Sequence, residues 1–381
     1  QSIFAVGEQE AIVRVDPDGT VTRALTTPEF VRPVAPAIGD VDGDGTNDVV
    51  SLSYRAEIVS PLEPPQLTGR IDVYPADFDA WTFPKNAETL LDAPIAGPSL
   101  ADLDGDGDLE IVVPLLGERI DAYHHDLTRV TGFPTTLSGT GNLRPTRVGI
   151  DALGEDEGLS LFTVDIDDNL HVLDATGGLR PGFPQPTVDV DGERGATIAA
   201  RLDRGRTRAV VFGAPNSYRW AFDTDGRFPD GWPAYVPNAV KTTPAVGDID
   251  LDFRDEIVFV GTTDVVVLEV DATGSDSGTW TMDGADPGRT GCAGCFDRTI
   301  TSVEPEGPES GVPALRLGSR HPFRGAAEFA FSLARPSDVE LKIYDLRGRH
   351  VRTLDRDGLV AGPHSLVFDG RDARGERLSQ G

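Results

Sequence analysis

The sequence predicts an all-β chain, built mostly from one repeated unit of about four short strands. Three observations carry this. Apolar and polar residues alternate in short runs such as "IVRV" and "VELKIY", with no convincing helical periodicity. Gly 43 and Pro 29 supply many turns. One acidic pattern also returns in a constant register, and internal repeats decide architecture.

The pattern is clearest in "PAIGDVDGDGTNDVVSL", where Asp40, Asp42, Asp44 and Asp48 fall within nine residues. Four carboxylates that close repel one another, so the loop is either a solvated turn or holds a cation. In D-x-D-x-D-G-x-x-D, positions 1, 3, 5 and 9 offer carboxylates and the Thr46 carbonyl at position 7 adds an oxygen. Calcium takes six to eight oxygens at about 2.3–2.6 Å in flexible geometry. Gly45 permits the bend that aims them inward. The opening resembles an EF-hand loop, but the loop closes at position 9 and runs straight into a strand.

The stretch "PSLADLDGDGDLEIVV" repeats the spacing with Asp102, Asp104, Asp106 and Glu110, with Asp108 at position 7. "PAVGDIDLDFRDEIVFV" repeats it with Asp248, Asp250, Asp252 and Glu256, with Arg254 at position 7. Three matches in one register favour a cation. Two sites are expected to bind well. The third is expected to bind more weakly, because Phe253 stands where the others have Gly45 and Gly107.

Two further copies keep the strands and lose the ligands. They place Ile150, Ala152, Gly154 and Gly158, and then Arg201, Asp203, Gly205 and Ala209, at the ligand positions. No metal is expected there, so the repeat is architectural first. Turn markers confirm the register: Asp16, Asp174, Asp223 and Asp271 align, with looser versions near Asp77 and Asp126, and read as hairpin turns. "GFP", "GFP" and "GWP" then begin at Gly132, Gly182 and Gly231.

The unit is about 48 residues long, which with four strands predicts propeller blades. Five begin near Val34, Ala93, Leu143, Ala196 and Thr243. A sixth would join "SIFAVGE", "AIVRVD" and "TVTRAL" to a strand at Thr299–Val303. Seven blades are the alternative, with opening residues upstream of Gln1. The expected domains are a propeller over 1–304, a linker over 305–312 and a β-sandwich over 313–381.

Net charge is −29, from Lys+Arg 34 against Asp+Glu 63, which disfavours nucleic acid and anionic membrane as partners and favours cations. Lys85, Lys241 and Lys342 are the only lysines. No apolar run approaches the ~18 residues of a spanning helix, so no membrane insertion is expected. A chain starting at Gln1 reads as a mature secreted product. Cys292 and Cys295 lack the partners of a zinc or haem site and are disulfide candidates, or two free thiols. Nucleophile, zincin and phosphate-loop motifs are absent, and the six His are scattered, His124 and His125 beside a turn and expected to be exposed.

On "IGDVDGDGTNDVV", "LADLDGDGDLEIV" and "VGDIDLDFRDEIV", residues 1–290 resemble the FG-GAP/VCBS β-propellers, the type also found in integrin α-subunit heads. On "HPFRGAAEFAFSL", "VELKIYDLRGRHVRTL" and "FDGRDARGERLSQG", the C-terminal piece resembles the FlgD-type immunoglobulin-like domain of secreted bacterial proteins. In that family a further strand follows the last glycine, so this sandwich is expected to lack its last strand. The resemblance implies a secreted or cell-surface, non-catalytic scaffold stabilised by Ca²⁺, with a protein or glycan partner or adhesive role. The alternatives are a subunit of an extracellular filament joined by strand donation, and a carbohydrate-active lyase.

Overall fold

A computed structural model describes residues 2–6, 12–23, 34–58, 65–78, 83–90, 92–117, 119–137, 146–154, 158–165, 167–187, 195–203, 205, 207–214, 218–235, 242–247, 249, 254–261, 265–272, 280–282, 285–286, 290–293, 314–317, 327–333, 335–344, 350–360, 362–368 and 371. They form strands and turns, with no helix among them. Chain contacts define two units, one of Gln1–Ile249 with Phe253–Asp297, the other mainly Arg298–Gly381.

In the first unit the repeat folds as predicted into successive antiparallel sheets. Strands β1 (Ile3–Val6), β2 (Ile12–Val15) and β3 (Val21–Arg23) form a three-stranded sheet from the three N-terminal segments. Then β4 (Ala37–Gly39), β5 (Asp48–Glu57), β6 (Gln66–Pro75) and β7 (Asn86–Leu90) pair in chain order. The next sheet is β8 (Ser99–Ala101), β9 (Glu110–Leu115), β10 (Arg119–Tyr123) and β11 (Thr135–Thr136). It is followed by β12 (Gly149–Asp151), β13 (Ser160–Val164), β14 (Asn169–Asp174) and β15 (Gln185–Pro186). After that come β16 (Ile198–Ala200), β17 (Ala209–Gly213), β18 (Tyr218–Phe222) and β19 (Ala234–Tyr235). The fifth repeat shows β20 (Ala245–Gly247), β21 (Glu256–Val260) and β22 (Val265–Glu269).

In the second and third full repeats the first and second strands, β8, β9, β12 and β13, are short and buried on both faces, so apolar area on each sheet is removed from water by its neighbours. The first strands adjoin in order, β4 by β8, β8 by β12 and β12 by β16. One core joins Val112, Phe162, Val172, Phe212 and Trp280 across three repeats. The N-terminal sheet packs on the first full repeat through Ile12, Phe4, Tyr74 and Phe78. Its proposed closing strand, Thr299–Val303, lies outside the described residues.

Residues beyond the last sheet return to the first strands. Ala199 and Val246 donate to the carbonyls of Trp280 and Thr281 at 2.9 and 3.0 Å, and Trp280 N–H donates to Asp151 Oδ2 at 3.0 Å. Ile38 and Leu100 donate to Thr290 and Gly291 at 2.7 and 2.8 Å, and Ala293 donates back to Leu100 at 2.7 Å. These partners lie on β4, β8, β12, β16 and β20, so one short segment touches the first strand of all five repeats. Cys292 in it is buried and disulfide-bonded; Cys295, the only other cysteine, lies outside the described residues.

The predicted turns at Asp126, Asp174 and Asp223 are present, while the one at Asp271 runs on into residues outside those described. Thr128, Thr176 and Asp225 N–H donate to Asp126, Asp174 and Asp223 Oδ1 at 2.9, 2.9 and 3.0 Å. The aromatic–proline bonds of the GFP, GFP and GWP motifs, Phe133–Pro134, Phe183–Pro184 and Trp232–Pro233, are cis. A Cβ on Gly132 would lie 2.1 Å from Thr176 O, and one on Gly182 2.2 Å from Asp225 O, so each glycine lets a repeat press on the next repeat's turn.

The second unit holds β23 (Ala314–Leu317), β24 (Ala327–Leu333) and β27 (Gly362–Phe368) in one sheet, and β25 (Ser337–Tyr344) with β26 (His350–Leu359) in another. Leu333 and Leu366 meet Val339, Leu354 and Leu359 between them. After Phe368 only Arg371 is described, so the expected missing strand lies outside what the structure describes.

Candidate metal centre

The acidic loops join the first strand of a repeat to the second. Each closes in the same way. The position-9 carboxylate accepts the N–H that follows position 1: Asp48 Oδ2 from Val41 at 3.4 Å, Glu110 Oε2 from Leu103 at 2.6 Å, and Glu256 Oε2 from Ile249 at 2.8 Å. All three carboxylates are buried, at 5% exposure or less. The third loop therefore keeps the common closure, while Asp248, Asp250, Asp252 and Phe253 lie outside the described residues. Arg254 there pairs with Glu269.

In the first loop Asp40 accepts from Asp44 N–H at 3.0 Å and Gly45 N–H at 2.8 Å, and Asp44 Oδ1 accepts from Thr46 N–H at 2.8 Å. In the second, Asp102 accepts from Gly105 and Gly107 N–H at 2.7 and 3.2 Å, and Asp106 accepts from Asp108 N–H at 2.9 Å. Gly45 and Gly107 have φ of +87° and +99°, the left-handed region that glycine enters without cost. Asp40, Asp42 and Asp44 each bring one oxygen within 4.8 Å of the others, and so do Asp102, Asp104 and Asp106.

A third such group is Asp104, Glu110 and His124. His124 Nδ1 lies 3.2 Å from Glu110 Oε1, and His125 Nδ1 lies 2.7 Å from Asp108 Oδ2. The His124 side chain is 28% exposed, less than expected, and that of His125 is 40% exposed. The turn that sequence reasoning found brings them back over the second loop. Burial, reinforced by Asp104, pushes the Glu110 carboxyl up despite the Leu103 N–H and His124.

The first loop instead meets Lys85. Its Nζ lies 2.7 Å from Asp42 Oδ2 and 2.7 Å from Asp48 Oδ1. Burial raises the Asp48 carboxyl and Lys85 opposes this. Asp42 Oδ1 is buried with no hydrogen-bond partner among the described residues. All-oxygen donors with acceptor capacity left over fit a hard cation.

The degenerate repeats are built differently. Asp151 in β12 accepts the Trp280 N–H, and Arg208 donates to the Ala152 carbonyl at 2.9 Å. Asp203 turns back on Gly205 N–H at 2.7 Å. No metal-ligating group is found at either among the described residues.

Residues 318–381 match the FlgD Ig-like domain family, as the C-terminal motifs suggested. No FG-GAP or VCBS match accompanies it, and no curated protein matches the chain. Among solved structures, BBS1N in complex with ARL6DN is similar at 11% identity and TM-score 0.37, covering 71% of this chain and 91% of that one. The exotype rhamnogalacturonan lyase YesX is similar at 16% and 0.44, covering 88% of this chain and 57% of that one. The rhamnogalacturonan lyase YesW is similar at 13% and 0.44, covering 92% and 65%. These scores carry no argument about fold or activity. No helix among the described residues is long and apolar enough to cross a membrane.

Proposed function

We propose that the chain is a non-catalytic, secreted or cell-surface scaffold: a calcium-stabilised, six-bladed propeller followed by an immunoglobulin-like domain, serving binding, adhesion or assembly. The observation that carries the calcium reading is the pairing of two acidic loops in equivalent places of consecutive repeats, each gathering three carboxylates within 4.8 Å. The propeller reading is supported by the adjoining first strands and the segment that touches all five. The extracellular reading is supported by the FlgD Ig-like match and by the Cys292 disulfide, a bond that persists in oxidising compartments.

A lyase needs an accessible proton acceptor. One described set of a tyrosine, a carboxylate and an arginine is Tyr123, Asp121 and Arg129, with Tyr123 hydroxyl donating to Asp121 Oδ2 at 2.8 Å. Tyr123 is 5% exposed, and burial pushes its hydroxyl up to about 12, away from a base's working range. That favours the scaffold.

Thermal melting in EGTA and in millimolar Ca²⁺ tests the reading. Binding to the folded form alone stabilises by about 2.7 kcal/mol at a hundredfold excess over Kd. Equal melting temperatures in the two buffers sink the calcium reading.

A further inference from the structure

We propose that Lys85 is a built-in cation of the first acidic loop, and that its ammonium and Ca²⁺ compete for Asp42 and Asp48. This rests on the calcium reading above. Asp42 and Asp48 occupy positions 3 and 9 of the loop, and Lys85 Nζ stands 2.7 Å from an oxygen of each. Calcium would take the same oxygens at about 2.3–2.6 Å. An ammonium and a divalent ion cannot share them at those distances, so metal entry requires the lysine to swing out.

The lysine is fixed from its own sheet. Its backbone N–H donates to Val73 O in β6 at 2.7 Å, which anchors the stem just before β7 while leaving the side chain its rotamers. At the second loop, with the same sequence pattern, no lysine or arginine takes that place among the described residues. There Asp104 and Glu110 face His124. The two loops therefore differ in affinity although their motifs match, the second being the stronger.

The residue type is also informative. The chain uses Lys at only three places among 34 basic residues. The ammonium sets one compact charge between two single carboxylates. At the third repeat's loop an arginine, Arg208, donates to the backbone carbonyl of Ala152, the residue at position 3.

Calcium titration calorimetry on the full chain tests this, with the second loop silenced by Asp102→Asn and Asp104→Asn. The third loop is common to every variant and cancels. Lys85→Met is expected to tighten first-loop binding about tenfold, the effect of removing one half-exposed charge competitor. Lys85→Arg keeps the charge and is expected to keep binding weak. In EGTA, Lys85→Met should melt below its parent, and Ca²⁺ should remove or invert that difference; this holds without the silencing substitutions should they impair folding. Unchanged or weaker first-loop affinity in Lys85→Met overturns the proposal while calcium binding at the second loop stands. A native chain that binds no calcium at all overturns both.

Discussion

The backbone N–H of Leu109 donates to the carbonyl oxygen of Val41 at 3.2 Å, tying the second acidic loop to the first. Beside that bond, a Cβ on Gly43 would lie 2.8 Å from Asp108 Oδ1. The two loops thus share an edge, and a change in one reaches the other. Gly43 has φ +67°, so Gly43→Ala costs about 1–2 kcal/mol of backbone strain. It should also displace the Asp108 carboxylate and weaken calcium binding at the second loop, which it does not ligate. Calorimetry on Gly43→Ala checks this; unchanged second-loop affinity contradicts the coupling.

Asp104 belongs to both ligand groups of the second loop. Asp104→Asn is therefore expected to abolish the stronger site. The calcium-dependent rise in melting temperature should fall by at least half, while the melting temperature in EGTA stays level or rises as repulsion is relieved. A full calcium response in the variant would refute the assignment.

The glycines of the aromatic–proline motifs make a graded test of contact between repeats. Gly132→Ala places a methyl 2.1 Å from the Thr176 carbonyl oxygen, with φ +100°. Gly231 has φ +84° but nothing within 4 Å of the added carbon. Denaturant unfolding should show Gly132→Ala losing about 2–4 kcal/mol, from strain plus overpacking, against about 1–2 for Gly231→Ala. Equal losses would show that the contact contributes nothing.

Asp165 supplies a pH dependence apart from the metal loops. Burial pushes its carboxyl up, but hydrogen bonds from His171 and Asn169 and the attraction of His171 outweigh this, and the group ends below its ordinary 3.8. A depressed carboxylate stabilises the fold above its unfolded value and loses that contribution as pH falls through the folded value. Asp165→Asn should therefore flatten the loss of stability below pH 3.8 and leave its slope at neutral pH unchanged. Identical acid limbs in the two proteins would remove Asp165 from the account.

The strands, their order in each sheet and the acidic loops were legible because each rests on local pattern repeated several times. Asp40 to Asp48 and Asp102 to Glu110 could be aligned by eye, and the position-9 closure followed the register. Lys85 was not legible: it follows an aromatic–proline pair far along the chain from Asp42, and only its rarity marked it. His124 and His125 fall on a turn the sequence revealed, yet their approach to Glu110 and Asp108 depends on how two strands lie across the sheet. Arg208 falls at position 8 of the fourth repeat's loop, where the pattern asks for no ligand, and its reach to Ala152 belongs to the packing of one repeat on the next. Pairwise chemistry across repeats is set by tertiary geometry, which no window of one repeat contains.

The segment around Trp280 and Thr290 has a temporal consequence. The first strands of the repeats at Ile38, Leu100, Ala199 and Val246 each wait for a hydrogen-bond partner that is synthesised only after the last repeat. Contacts this distant in sequence carry a large loop-closure cost before they return anything. During translation the early sheets therefore emerge with their inner edges open, and they stay so until residues 280–293 clear the ribosome.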